Sequence, residues 1–258
     1  MVLGGARKSP GAVLLAGTAA LRVGAGRLTM GVAASVAASL AVAVPESGVV
    51  GLTETPTGAV QGESISALST ELSNANAVLA GSGLDDASEA QSLLRLLPTM
   101  MSEGTPLLLD AYALGVLPDL SDDFHPPGAL VLTPNMTEVG HLLGRPLDDL
   151  GADLSVIADR FQATVTCQGI IAARDGRRWL VGTGQGGLGT SGSGDVLAGA
   201  IAGLLARGAG PEQATCWGSY LHAAAGDRLN SLIGPTGYLA REILHQFPQL
   251  LAELGQGT

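Results

Sequence analysis

Val181-Gly182-Thr183-Gly184-Gln185-Gly186-Gly187-Leu188-Gly189-Thr190-Ser191-Gly192-Ser193-Gly194-Asp195 runs directly into the apolar stretch Val196-Leu197-Ala198-Gly199-Ala200-Ile201-Ala202-Gly203-Leu204-Leu205, and the junction between them decides the fold. A glycine-dense loop entering a helix lets successive N–H groups face one anion, and the positive end of the helix adds to them. Glycine content alone suits a flexible turn equally well. Asp195 separates the two readings, because it stands in the first helical turn directly behind Gly192-Ser193-Gly194. A carboxylate beside a bound phosphoryl group repels it unless the site needs a base. Such a base could take the proton of a hydroxyl as that hydroxyl attacks phosphorus. No Lys follows, so this is not a Walker A loop, and it lies too late in the chain for a dinucleotide fingerprint.

Outward from this junction, short apolar runs alternate with longer helical patterns, the signature of parallel strands joined by helices. The strand candidates are 77–80, 106–110, 129–133, 164–167, 170–173 and 178–181. Helical patterns occupy 11–24, 87–101, 136–143, 155–161, 195–207 and 211–232. Four of the runs end on Gly81, Asp110, Thr133 with Pro134, and Gly182. In an open parallel sheet ligands collect at the carboxyl ends of the strands, so these four ends are expected at one crevice. The polar, Gly-, Pro- and Thr-rich segment from Glu46 to Glu63 reads as a long loop or surface hairpin. The whole pattern predicts a single α/β domain over 1–258, with a mostly parallel central sheet of about eight or more strands between two helical layers.

Composition excludes other classes. With 46% hydrophobic and 14% charged residues, the chain can bury enough surface to order itself, unlike a disordered or fibrous sequence. A net charge of -10 leaves no electrostatic footprint for nucleic acid. Two cysteines, Cys167 and Cys216, form neither a disulfide framework nor a zinc spacing, which fits a reducing, cytoplasmic location. Arg7 and Lys8 ahead of Ala12–Ala20 imitate a secretory signal. Pro10 and Gly11 open that run, and Arg22 and Arg27 interrupt the residues beyond it, so it reads as part of the fold. No segment approaches the ~20 strongly apolar residues of a membrane span.

Six motifs in order give a resemblance to the ribokinase-like superfamily and, within it, to the ADP/ATP-dependent NAD(P)H-hydrate dehydratases. They are Val2-Leu3-Gly4-Gly5 with Ser9-Pro10-Gly11-Ala12; Gly81-Ser82-Gly83-Leu84; Leu109-Asp110-Ala111-Tyr112-Ala113-Leu114; Leu132-Thr133-Pro134-Asn135-Met136-Thr137-Glu138; Gly192-Ser193-Gly194-Asp195; and Tyr220-Leu221-His222. The resemblance implies a three-layer fold and dehydration of the 6-hydroxylated form of NADH or NADPH, with ADP or ATP as phosphoryl donor. Asp195 would be the base and Gly192, Ser193 and Gly194 the phosphate cradle. Ala12, Gly83 and Asp195 would line the hydrated nicotinamide nucleotide, and Gln168, Gly169 and Gly194 the adenine nucleotide. Glu138 would hold Mg²⁺ through water, and a homo-oligomer, often a tetramer, is implied.

The chain departs from that pattern at several points. Asn135 replaces the His that contacts the hydrated substrate, Tyr112 replaces the second Asp of Asp-Ala-Asp, Gln168 replaces Lys, and Asp85 follows Gly83-Leu84 where Gly is expected. The Asn135-x-x-Glu138 pair resembles instead the Asn-x-x-Glu motif of the superfamily's kinases, and favours the alternative of a small-molecule kinase that acts on a vitamin precursor. Gln168 and Tyr112 suit a non-catalytic nucleotide-binding relative. His222, among apolar neighbours, reads as a packing residue, His141 and His245 as helix-surface residues and His125 as a loop residue. Cys167 and Cys216 read as inert thiols. Asp227 suits either an approach to the nucleotide or a surface position.

Overall fold

Residues 1–120, 124–184 and 186–255 are described by the computed structural model, so Gln185 of the glycine-rich loop lies outside them. In chain order the elements are β1 (Val2–Leu3), α1 (Pro10–Arg22), β2 (Leu28–Ala33), α2 (Ala34–Ala43), β3 (Ser47–Leu52), α3 (Ser69–Ser73), β4 (Val78–Ala80), α4 (Ala87–Met100), β5 (Leu107–Leu109) and α5 (Tyr112–Val116). They continue with β6 (Leu130–Leu132), α6 (Met136–Leu143), α7 (Leu150–Arg160), β7 (Ala163–Cys167), β8 (Ile170–Ala172), β9 (Arg178–Leu180), α8 (Ser193–Ala206), α9 (Pro211–Leu232) and α10 (Ala240–Gly255). The strands form one sheet in the order β3-β2-β1-β4-β5-β6-β7-β8-β9.

From β3 to β7 every pairing is parallel, whereas β8 and β9 turn back antiparallel. The connection explains the change. Cys167 pairs with Ile170, so only Gln168 and Gly169 join β7 to β8, and a two-residue link can join only antiparallel neighbours. Both link residues have positive φ, 49° and 77°, as a primed hairpin turn requires. Because β9 runs the same way as β7, Gly182 sits at the same sheet edge as Gly81, Asp110 and Thr133.

Side chains alternate across the central strands. Val78 and Ala80, Leu107 and Leu109, and Leu130 and Leu132 enter one core with α4, α5, α6 and α7. Leu79, Leu108 and Val131 enter a second core with α1, α8, α9 and α10. Burial on both faces is why these strands read as continuous apolar runs. On the second face, α8 lies almost against α1: a Cβ on Gly199 would fall 2.0 Å from the Ala16 carbonyl oxygen. The small residues of α8 therefore set how deeply its N-terminus, with Asp195, seats over the strand ends.

The expectations at the N-terminal half need correction. Part of 46–63 is β3, paired in register with β2 from Leu28↔Ser47 to Ala33↔Leu52, and only the segment beyond it loops back through the Glu54↔Val60 bridge. As an edge strand containing Ser47, Gly48 and Gly51, it lacks the apolar run of a central strand. β2 passes straight into α2 with no side-chain cap at Ala33, so the two merge into one Ala- and Val-rich stretch. α7 begins at Leu150, ahead of the expected Ser155, because Asp149 caps it through the Ala152 amide at 2.7 Å.

Candidate active site

The carboxyl ends of β4, β5 and β6 deliver Ser82, Asp110 and Thr133 side by side. All three are buried, at 0%, 5% and 8% exposure. Thr133 Oγ1 donates to Asp110 Oδ1 at 2.7 Å, and Ser82 Oγ donates to Oδ2 over a long 3.5 Å. Burial pushes the Asp110 carboxyl up to about 7; the Thr133 and Ala111 hydrogen bonds oppose this, and the charges of Asp195 and Glu138 add to it. The backbone bends sharply here. Ala111 takes φ 52°, ψ -118°, a region normally left to glycine, at a cost on the order of 1–3 kcal/mol. Such strain persists only where surrounding contacts over-determine it.

Asp195 approaches this group from α8. It is half-buried, and burial raises its carboxyl above the ordinary range, partly offset by a hydrogen bond with Ser82. Gly192 caps the helix at φ 85°, and a Cβ on Gly194 would meet nothing within 4 Å, so the approach to the helix start is open. First-turn amides have no acceptor within their own helix and remain available to an anion. Ser193 turns inward instead, and its hydroxyl shares a 2.8 Å hydrogen bond with His222 Nε2. Burial pushes His222 down to about 4, so it stands neutral, a satisfied interior residue as its apolar neighbours imply.

The other expected positions fall into two groups. Ala12 and Gly83 meet beside Ser82: a Cβ on Gly83 would lie 3.1 Å from the Ala12 Cβ and 2.4 Å from the Ser9 carbonyl oxygen, and φ is 73°. Asn135 and Glu138 form the capping box of α6. Asn135 Oδ1 accepts from the Thr137 and Glu138 amides at 2.9 and 3.0 Å, and Glu138 Oε2 accepts from the Asn135 amide at 2.8 Å. Helix capping thus accounts for the Asn-x-x-Glu spacing. Burial raises the Glu138 carboxyl, and with Ala111, Tyr112, Thr137 and His141 it lines a cleft of about 550 Å³ between α4, α5 and α6.

Gln168 and Gly169 stand apart on the β7–β8 turn, with Gln168 exposed. Their link to the glycine-rich loop is the Val181 amide, which donates to the Gly169 carbonyl at 2.8 Å. Further along, Asp227 Oδ2 accepts from the Thr183 hydroxyl and, at 2.9 Å, from the Gly184 amide, which makes Asp227 the anchor of that loop. Cys167 is inert: burial foremost, with the charge of Glu138, pushes its thiol up to about 12. His141 ties α6 to α5 through the Gly115 carbonyl at 2.7 Å. Sequence reasoning assigns no role to the hydroxyls of Ser82 and Thr133. The signal is nevertheless present, since both stand at strand ends named for the crevice.

A mostly parallel sheet between two helical layers, with an anion-ready helix start and a half-buried carboxylate over the strand ends, defines the ribokinase-like class of α/β proteins. The chain belongs to the NAD(P)H-hydrate dehydratase family, whose sequence profile matches residues 1–249. It is 40% identical over 268 aligned residues to the ADP-dependent (S)-NAD(P)H-hydrate dehydratase of Xanthomonas campestris, covering 100% of this chain and 89% of that protein. It spans about half the length of the bifunctional NAD(P)H-hydrate repair enzymes that it also matches. Among solved structures it resembles the ADP/ATP-dependent NAD(P)H-hydrate dehydratase of Bacillus subtilis co-crystallized with ATP/Mg²⁺, with TM-score 0.80, 27% identity, and coverage of 98% of this chain and 88% of that one. A ribokinase-like superfamily protein of Enterococcus faecalis gives TM-score 0.82 at 26% identity over 98% of this chain and 86% of that chain.

Proposed function

We propose that this chain restores NADH or NADPH from their hydrated, 6-hydroxylated forms, with ADP or ATP as phosphoryl donor. The observation that carries the reading is Asp195, half-buried in the first turn of α8 beside open amides and facing the buried group around Asp110. Water is a poor leaving group. Phosphorylation of the 6-hydroxyl turns it into phosphate, which the ring nitrogen's lone pair expels to leave an iminium; loss of the proton on the neighbouring ring carbon to solvent then restores the ring double bond. Asp195 takes the hydroxyl proton as the oxygen attacks phosphorus, and the Gly192–Gly194 turn faces the transferring phosphoryl group with its amides. Ala12 and Gly83 wall the nicotinamide side and Asn135 holds the start of α6 beside it, while Gln168 and Gly169 border the adenine nucleotide.

Magnesium, which the family resemblance implies, fits this donor set. No group of three His, Cys, Asp or Glu among the described residues could hold a metal unaided, but this cation characteristically keeps its waters and takes one or two carboxylates plus substrate phosphates. Glu138 Oε2 is held by the Asn135 amide, which leaves Oε1 to meet a metal-bound water. When bound, the cation would neutralise charge on the nucleotide phosphates. The two cysteines are unpaired, as the reducing cytoplasm would leave them, and no helix among the described residues is long and apolar enough to cross a membrane.

The test is absorbance in the reduced-nicotinamide band after mixing the protein with hydrated NADH, Mg²⁺ and either ADP or ATP. A nucleotide-dependent rise with release of inorganic phosphate is the expected result, and the better nucleotide identifies the donor. A stable phosphorylated product with no rise would assign the chain to the superfamily's kinases instead.

A further inference from the structure

The cleft of about 550 Å³ between α4, α5 and α6 begins where the candidate active site ends. Leu84, Ala111 and Thr137 line it, and they follow Gly83, Asp110 and Asn135 by one or two residues, so the ends of β4, β5 and β6 lead from the site into the cleft. The Gln168-Gly169 turn and the glycine-rich loop lie towards the other end of this row of strands, beyond β7 and β9. A volume of this size, with apolar and aromatic walls and few polar groups, is typical of a small-molecule site.

The lining favours a flat, uncharged group. Leu84, Ala87 and Val116 supply apolar wall, and Tyr112 and His141 each supply a ring. His141 Nε2 meets the Gly115 carbonyl at 2.7 Å; a carbonyl only accepts, so Nε2 carries a hydrogen and Nδ1 of the neutral ring is left as an acceptor. A base with an exocyclic amine can stack on such rings and donate to such a nitrogen. Charge in the cleft is one-sided: Glu138 is a carboxylate, no Lys or Arg is among the lining residues, and Asp85 and Asp86 follow Leu84 in the chain. A phosphate monoester entering here would give up its hydration and find no cation.

We infer that this cleft seats the adenosine half of the hydrated dinucleotide and, because it offers no cation, selects hydrated NADH over hydrated NADPH, which differ only by a phosphate on that adenosine. The inference rests on the dehydratase reading and adds to it the place and the preference of the substrate's non-reacting end. With the reacting ring at Asp195 and the donor nucleotide towards β7–β9, the second nucleoside extends the other way, past Ala111. Tyr112, standing where the family usually has Asp, exchanges a carboxylate for a ring that holds the base.

The experiment measures kcat and KM with hydrated NADH, hydrated NADPH and hydrated, reduced nicotinamide mononucleotide, which lacks the adenosine. It compares the wild type with Tyr112→Ala and Ala87→Arg, and nucleotide-dependent thermal stabilisation confirms that each variant is folded. The wild type should favour hydrated NADH by about tenfold or more in kcat/KM, chiefly through KM. Tyr112→Ala should raise KM for hydrated NADH about tenfold and KM for the mononucleotide by less than about twofold, a split that general damage to the fold would not give. Ala87→Arg, at the exposed first residue of α4, brings a cation to the cleft and should narrow the preference to about threefold or less. Equal kcat/KM for the two dinucleotides in the wild type, a wild-type KM for hydrated NADH in Tyr112→Ala, or a preference left at full size by Ala87→Arg overturns the inference and leaves the dehydratase reading intact. A wild-type protein that turns over none of the hydrates overturns that reading itself, and the inference with it.

Discussion

The ends of β4, β5 and β6 and the turn after β7 share one edge of the sheet, yet they are built in opposite ways. The first group is enclosed: Ser82, Asp110 and Thr133 satisfy one another through side chains, next to a strained backbone. The second is open: Gln168 is exposed, Gly169 holds Val181 through its backbone, and the glycine-rich loop beyond is anchored by one carboxylate, Asp227. The enclosed group suits the proton chemistry proposed for the site, because burial is what shifts a carboxyl into the working range. The open group presents backbone amides and carbonyls, which bind without regard to side-chain identity. Gln168 can therefore stand where the family usually has Lys without altering the frame, whereas nothing in the enclosed group is replaceable on the same terms.

The largest expected effect breaks the enclosed side. Asp195→Asn should lower kcat by about 10²–10⁴-fold while leaving most of the nucleotide affinity, since amides rather than the carboxylate face the phosphate. Turnover is read in the reduced-nicotinamide band and affinity from nucleotide-dependent thermal stabilisation. Full activity in this variant would remove the basis for contrasting the two regions.

Next comes stability. The Asp110 carboxyl is raised from 3.8 to about 7 in the fold, so between those values the native state holds a proton that the unfolded chain has lost. Stability therefore falls as pH rises through that window, by a few kcal/mol at about 1.4 kcal/mol per unit. Asp110→Asn, which cannot ionise, should be more stable than the wild type above pH 7, by about 1–3 kcal/mol in urea unfolding at pH 8. The Asp110 carboxylate is thus held at a cost to the fold. Equal or lower stability at that pH would show that its neighbours satisfy the charge in full.

His222 has the reverse sign. Its folded value is lowered from 6.5 to about 4, so the unfolded chain binds the extra proton between those limits. Its contribution is complete above pH 6.5 and is lost as pH falls towards 4. In the wild type, protonation of Asp110 masks part of this loss over the same range. The Asp110→Asn variant should reveal it as a steeper fall in stability on acidification, and adding His222→Gln should flatten that fall. An unchanged slope in the double variant would assign the acid sensitivity to another group.

The contrast also explains which parts of the molecule are legible in the sequence. Central strands buried on both faces announce themselves as apolar runs, and β4 to β8 are readable in this way, whereas β9 is an edge strand with exposed residues. β2 and β3 are not, because an Ala-rich strand that enters a helix without a turn residue, and a Gly-containing edge strand, carry no such run. In the site, Asp195 is legible from its place behind a glycine turn. Ser82 and Thr133 come together because β4, β5 and β6 lie side by side, and the His222–Ser193 bond because α9 packs against α8; both are properties of topology rather than of local spacing. Asn135 and Glu138 show the converse: a spacing that suggests metal chemistry is accounted for locally by a helix cap.

The smallest effect tests the open side. Gln168 holds φ 49° in a two-residue turn, a conformation that costs a residue with a Cβ about 1 kcal/mol and glycine almost nothing. Gln168→Gly relieves that strain but increases the entropy lost on folding, so the net change in stability should stay within about 0.5 kcal/mol. Because the turn contributes its backbone, which the substitution preserves, kcat should be unchanged and KM for the nucleotide should move by less than about threefold, under 0.7 kcal/mol. Steady-state kinetics with varied nucleotide settle the point. A loss of tenfold or more in kcat/KM would mean that the Gln168 side chain itself grips the nucleotide, and the division between a side-chain half and a backbone half of this site would have to be redrawn.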